Sequence, residues 1–339
     1  MCPDGRPAPP PTARMIELMA GFQLSQALYA VAKLDVPTLL AEDGPLPVSA
    51  LADRAGAHPG ALHRLIRSLT PLGVFRGEGD LIHVTELGAT LSRNHPSSMY
   101  DVLCYWMETH YGPFGELLTT ARTGTPGADA HLGESFFDWI TADTDRAELQ
   151  NRAMAGMSSS VRAGVFDDYV LPAGEVVADI GGASGNVLTE LLELNPDRRG
   201  IVLDLPAIVP GAHENLARVG MADRVEVVAG DFFTSVPTAD VYLLSYVLHD
   251  WDDESCLRIL RSVAAAADTG ARLLLLESVV PADDLPHLSK LTDLTMLGIT
   301  TGQERSADEY RALLDRAGFT LDRTVSTSSP YSIVEATLR

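Results

Sequence analysis

Residues 176–185 read Val176-Val-Ala-Asp179-Ile-Gly181-Gly-Ala-Ser-Gly185. The run 176–180 is apolar apart from Asp179, the make-up of a strand buried on both faces. Glycines follow at once, and the spacing over Asn186–Leu194 predicts a helix. A Gly-rich turn between strand and helix lets a ligand approach the backbone closely. A dinucleotide site places its glycines as Gly-x-Gly-x-x-Gly. Counted from Gly181, the next two positions are Ala183 and Asn186, which weakens that reading. Asp179 suits an amino group, and backbone N–H groups suit a carboxylate, so the turn is expected to hold an amino-acid moiety.

Downstream the alternation continues. Strands are predicted at Gly200-Ile-Val-Leu-Asp204, Val225-Glu-Val-Val, Val241-Tyr-Leu-Leu-Ser245 and Arg272-Leu-Leu-Leu-Leu-Glu277. Helices are predicted at about 208–219, 253–267 and 307–317. Two closing strands, 319–326 and 331–338, are joined by a short connection and must pair antiparallel. The fold class expected is α/β: a mostly parallel sheet covered on both faces, with an antiparallel last strand. Ligands bind at the C-terminal ends of such strands, and those ends carry the chemistry. Asp204, in Leu203-Asp-Leu205-Pro, suits ribose hydroxyls. Asp231, in Gly230-Asp-Phe232-Phe233, suits an amino group of a base, with a phenylalanine over the ring. The three acidic ends together read as a nucleoside site. The fourth strand leads into Ser245-Tyr-Val-Leu-His249-Asp250-Trp251, where His249 is placed to take a proton near neutral pH. Glu277, or Glu304 in Gly302-Gln-Glu-Arg305, would hold its ring in one tautomer. Asp252 and Asp253 read as helix N-terminal residues and no metal site is expected.

Upstream, residues 14–41 have apolar positions at helical spacing, interrupted at Pro37 and Gly44. Two short helices over 48–69 and a hairpin over 73–85 describe a winged helix. Between about 100 and 165 lie further helices rich in aromatics and methionines, Trp106, Met107 and Met154 among them. These are core residues or the wall of an aromatic pocket. Residues 124–133 read as a polar, Gly-containing loop, and the Pro-rich start as a disordered lead-in. The domains expected are therefore 1–13 (lead-in), 14–100 (winged-helix dimerisation domain), 101–165 (helical linker and substrate-pocket region) and 166–339 (ligand-binding catalytic domain).

The chain of 339 residues carries a formal net charge of −21. That charge opposes binding to nucleic acid or anionic membranes and disfavours the DNA-binding use of a winged helix. No apolar run reaches the roughly 20 residues needed to span a bilayer. The three cysteines, Cys2, Cys104 and Cys256, are far apart and fit a reducing cytoplasm.

The ordered set Asp-Ile-Gly-Gly-Ala-Ser-Gly, Leu-Asp-Leu-Pro, Gly-Asp-Phe-Phe, Leu-His-Asp-Trp and Gly-Gln-Glu-Arg resembles the S-adenosylmethionine-dependent O-methyltransferases. The similarity is to the plant caffeate and isoflavone type and to bacterial relatives of aromatic-polyketide tailoring, and it covers nearly the whole chain. It implies a Rossmann-like methyltransferase sheet behind a winged-helix dimerisation domain, and a homodimer. It also implies methylation of a hydroxyl on a small aromatic metabolite, with S-adenosylhomocysteine as the other product. By this resemblance His249 is the general base, flanked by Glu277 and Glu304. Asp179, Gly181, Gly182, Gly185 and Ser245 lie at the methionine end, Asp204 and Leu205 at the ribose, and Gly230, Asp231, Phe232 and Phe233 at the adenine. Trp106, Met107, Met154, Asp250 and Met296 line the substrate pocket. The chain departs from the family pattern at Ala183, usually glycine, and at Glu277, often aspartate. Some bacterial relatives hydroxylate or decarboxylate on the same fold, and that is the alternative activity.

Overall fold

The computed structural model describes residues 10–162 and 164–339. Of the expected lead-in, residues 1–9 lie outside the described residues, and 11–13 form the first turn of the helix Pro11–Met19. The chain divides into two compact units, one of residues 1–112 and 137–160, the other of 113–136 and 161–339. The segment 101–165 is thus shared between them.

The first unit opens with the helices Pro11–Met19, Gly21–Lys33 and Val36–Asp43. Pro37 does not interrupt helix here. It sits in the first turn of Val36–Asp43, where a missing N–H costs nothing. The break falls at Asp35, whose φ is 54°. Strand β1 (Leu46–Pro47), the helices Val48–Ala55 and Pro59–Leu69, and strands β2 (Phe75–Glu78) and β3 (Leu81–Val84) complete the winged helix. The strands lie in the order β1-β3-β2, all antiparallel. Val31, Val36, Leu51, Leu62, Ile66, Leu69 and Phe75 form its core. On the helix Pro11–Met19 and just beyond it, Met15, Ile16, Leu18, Met19 and Phe22 are all more than half exposed. Later in the unit the helix Tyr100–Tyr105 passes into a π-helical turn, Trp106–His110.

The second unit is built on a seven-stranded sheet. Its strands are β4 (Val176–Ile180), β5 (Arg199–Asp204), β6 (Val225–Ala229), β7 (Val241–Ser245), β8 (Arg272–Glu277), β9 (Phe319–Ser326) and β10 (Ser332–Leu338). They run in the order β6-β5-β4-β7-β8-β10-β9. The five from β6 to β8 are parallel, and β10 is antiparallel to both neighbours. Alternate side chains of each strand enter different cores. Tyr242, Leu244, Leu273 and Leu275 pack with Leu257, Leu260, Tyr310 and Leu313 of the helices Asp253–Ala266 and Ala307–Arg316. Val241, Leu243, Leu274 and Leu276 pack with Leu188, Leu191 and Leu216 of Asn186–Leu194 and Val209–Arg218. A period of two with both faces apolar is what a sheet sandwiched by helices demands. The strand order reverses at β4, so its C-terminal end faces the crevice where α/β sheets bind ligands.

Two elements differ from expectation. The stretch read as a loop contains the helix Gly127–Leu132, where a Cβ at Gly127 would lie 2.7 Å from the Pro113 carbonyl oxygen. Its glycine serves a close approach, not a turn. An unforeseen helix, Leu288–Ile299, precedes the Gly302 loop.

Candidate active site

The end of β4 is tightly built. Gly181 and Gly185 have φ of 74° and 75°, and Ala183 shares the left-handed region at 48°. A Cβ on Gly182 would stand 2.6 Å from an Asp179 carboxylate oxygen. Glycine is therefore needed at 182 for space and at 181 and 185 for backbone shape. The amides of the turn are spent inside the protein. Gly181 and Gly182 donate to the Leu203 carbonyl at 2.8 and 3.3 Å, Gly185 donates to Gly182, and Ala183 donates to Asp204 Oδ2 at 2.8 Å. The amide route expected for a ligand carboxylate is closed at these four positions.

Asp179 is fully buried, and neither of its carboxylate oxygens has a hydrogen-bond partner. Burial pushes its pKa up to about 7, against the pull of Arg162. Arg162 was not foreseen. It is itself buried, with Nη2 donating to Glu190 Oε1 at 3.0 Å and Nε unpartnered. A buried carboxylate and a buried guanidinium with idle polar atoms, electrostatically coupled, match the ammonium and carboxylate of an amino acid. Arg162 lies outside the strand–turn motif, and no local pattern in the sequence marks it.

Asp204 accepts from Leu205 N–H at 2.7 Å as well as from Ala183, so it braces two strand ends. Leu205 is half exposed. Gly230 donates to the Asp204 carbonyl, and a Cβ there would meet Leu203. Asp231 Oδ1 accepts from Phe233 N–H at 2.8 Å. The two phenylalanines part ways. Phe232 lies beside Gly181 and stands edge-on to Phe233 and Trp251 at 4.9 and 6.2 Å, whereas Phe233 packs more closely against Trp251, at 4.8 Å, with the Arg258 guanidinium over its ring.

The fourth strand end carries a buried acid–base cluster. His249 lies in the short turn Leu248–Asp250 after β7. Its Nδ1 is 3.0 Å from Glu304 Oε1. An ionised carboxylate only accepts, so the Nδ1 proton is donated to Glu304 and Nε2 points elsewhere. Asp250 Oδ1 lies 3.5 Å from Nε2. Glu277, fully buried at the end of β8, accepts from Leu248 N–H at 3.1 Å through Oε1, and its Oε2 has no partner. Burial lowers the imidazole pKa, but Asp250, the hydrogen bond to Glu304 and the charge of Glu277 outweigh it and raise it to about 10. Burial lifts Glu277 to about 8, tempered by His249. His249, Glu277 and Glu304 present ligand-type atoms within 4.8 Å of one another, a spacing metal ions also use.

Two further residues hold this cluster. A Cβ on Gly302 would fall 1.9 Å from the His249 carbonyl oxygen, so the Gly302 loop lies directly on the histidine turn. Arg305 is almost wholly buried and clamps the same turn. It donates to the Leu248 and Trp251 carbonyls at 3.0 and 2.9 Å and to Asp253 Oδ1 at 2.8 Å. Asp252, as expected, caps the next helix, accepting from Ser255 N–H at 2.8 Å. The second unit thus carries all the expected catalytic and cofactor residues, Ser245 included, together with half-buried Asp250 and buried Met296 of the expected pocket. Trp106, Met107 and Met154 belong to the first unit, where Trp106 and Met154 are exposed.

Residues 115–320 match the O-methyltransferase domain, and residues 16–94 match the O-methyltransferase dimerisation domain. The chain belongs to the O-methyltransferase family. It is 36% identical over 331 residues to a phenazine O-methyltransferase of Lysobacter antibioticus, covering 97% of both chains. The crystal structure of a methyltransferase of calicheamicin biosynthesis, with S-adenosylhomocysteine bound, is similar at a TM-score of 0.87. Identity is 31%, with 97% of this chain and 98% of that one covered. An aclacinomycin 10-hydroxylase of Streptomyces purpurascens is 36% identical over 307 residues, covering 86% of this chain and 81% of that protein. As an O-methyltransferase the protein uses S-adenosylmethionine, and the polar pair Asp179 and Arg162 fits the amino-acid end of that molecule. The winged helix falls within the dimerisation domain. No helix among the described residues is long and apolar enough to cross a membrane.

Proposed function

We propose that this O-methyltransferase methylates a hydroxyl of a flat aromatic metabolite, with His249 as the general base. The observation that carries the reading is a buried imidazole held at Nδ1 by Glu304, leaving Nε2 to accept a proton. The cofactor, when bound, supplies an electrophilic methyl on a sulfonium. The chain does the rest. Nε2 takes the hydroxyl proton, and Asp250, Glu304 and Glu277 stabilise the imidazolium that forms, as the raised pKa records. Asp179 would hold the cofactor's ammonium, Arg162 its carboxylate, Asp204 the ribose hydroxyls, and Asp231 with Phe232 the adenine. Gly181, Gly182 and Gly185 would shape the turn on which the cofactor's methionine end rests. Positioning of oxygen against methyl would provide most of the acceleration, and the base about 10²–10⁴-fold.

The aromatic acceptor is supported by the phenazine relative and by the family. Asp250 and Met296 would line its pocket on the second unit. A second copy of the chain would cover Met15, Ile16, Met19 and Phe22, making the protein a homodimer. The buried free thiols of Cys104 and Cys256 suit a reducing cytoplasm.

The test is incubation with methyl-deuterated S-adenosylmethionine and a panel of hydroxylated phenazines, naphthoates and anthraquinones. A deuterated-methyl product with release of S-adenosylhomocysteine is expected. Oxygen addition without that release would overturn the reading in favour of a hydroxylase. His249→Ala should keep cofactor affinity and lose at least about 100-fold in kcat; unchanged turnover would remove the base from the scheme.

A further inference from the structure

One ring at the site has been given no role. Tyr246 follows Ser245 at the end of β7, and its φ is 56°. L-residues rarely adopt this left-handed conformation, glycine and asparagine excepted. A tyrosine kept there marks a position where placement of the side chain outweighs backbone comfort. The backbone is pinned by its N–H, which donates to the Leu276 carbonyl of β8 at 3.1 Å. The ring stands edge-to-face against two others: His249, with centroids 4.9 Å apart at 81°, and Tyr331, at 4.6 Å and 79°. Tyr331 is buried at the foot of β10 and packs in the sheet core, so it is a fixed backstop.

The imidazole needs such a neighbour. The single hydrogen bond from Nδ1 to Glu304 restrains rotation about the Cβ–Cγ bond at one edge of the ring and still allows the plane to rock about that bond. The Asp250 contact at 3.5 Å is longer than a sound hydrogen bond and steers by charge without fixing geometry. A perpendicular aromatic ring removes the remaining freedom. We propose that Tyr246 is a positioning residue: wedged between Tyr331 and His249, its ring sets the plane of the imidazole and keeps Nε2 turned to the acceptor. This rests on the reading of His249 as the base.

The test compares Tyr246→Phe, which keeps the ring, with Tyr246→Asn, which suits the left-handed backbone and removes it. In protein labelled with 13C at histidine Cε1, the His249 resonance is assigned by its loss in His249→Ala. Wild type and Tyr246→Phe should show one narrow His249 line, and Tyr246→Asn a broadened or doubled one. In turnover, Tyr246→Phe should stay within about twofold of wild type, while Tyr246→Asn loses about 10–100-fold in kcat, with the KM for S-adenosylmethionine unchanged. A narrow, unshifted line in Tyr246→Asn would overturn the proposal, as would a kcat loss in Tyr246→Phe equal to that in Tyr246→Asn. The resonance is read without turnover, so it reports ring placement whether or not His249 is the base. Full activity in His249→Ala would overturn the base alone.

Discussion

Asp179 is a carboxyl held where its charge is disfavoured. Its pKa is raised to about 7, against roughly 4 in an unfolded chain. A carboxyl whose folded pKa lies above its unfolded one penalises the fold increasingly from pH 4 upward, and the penalty is complete above pH 7. Asp179→Asn should therefore stabilise the cofactor-free protein at pH 8 by on the order of 2–4 kcal/mol, read as a higher thermal midpoint, and leave the midpoint unchanged at pH 4. The same variant should lose cofactor affinity by calorimetry, and a drop in the midpoint at pH 8 would contradict the account. For His249 the sign is opposite. Its raised pKa contributes stability that is full below about 6.5 and lost as pH climbs through about 10. A base must be neutral to act, so kcat/KM should rise from pH 6 to 9. Asp250→Asn removes the leading charge that raises the imidazole, so the rise should move to lower pH. A flat profile in both proteins would exclude an imidazole that titrates during turnover.

The histidine turn is an element shaped by parts distant in the chain. Gly302→Ala should displace the loop against the His249 carbonyl and cost at least about 100-fold in kcat, the usual effect of a catalytic group misplaced by an ångström. Arg305→Ala removes the guanidinium from the Leu248 and Trp251 carbonyls and from Asp253, which among the described residues keep only the Trp251 N–H, the Cys256 thiol and the Gln303 amide as donors. A stability loss of about 3 kcal/mol is expected in urea unfolding, where Gly302→Ala and Arg305→Ala can be ranked side by side. These parts were only partly legible. The strands announce themselves because a doubly covered sheet forces unbroken apolar runs, and each ligand-facing aspartate sits where such a run stops. Arg305 reads as one more arginine because its partners, Leu248 and Trp251, are more than fifty residues away. Tyr246 is silent because a left-handed tyrosine leaves no sequence pattern. The helix Leu288–Ile299 escaped notice because Leu291, Leu294 and Leu297 are exposed while Met296 and Ile299 are buried, so no single apolar stripe marks it.

For the molecule as a whole, the exposed Met15, Ile16, Met19 and Phe22 form an apolar surface that water disfavours. Light scattering should give a mass of two chains, and Ile16→Glu with Met19→Glu should shift it toward one. A wild-type mass of one chain would leave that surface to another partner. Chelation with EDTA should leave methyl transfer intact, since Glu304 already engages Nδ1 of His249; a loss restored by a divalent ion would make the histidine–glutamate cluster a metal centre. The strand order has a consequence in time. β10, which ends at residue 338, is hydrogen-bonded between β8 and β9 and is antiparallel to both. During synthesis the ribosome delivers β8, with Glu277, and later β9, but β8 has only β7 beside it and β9 has no partner until residues 332–338 emerge. Until then the nascent protein must carry the open edge of β8, beside Glu277, and an unpartnered β9.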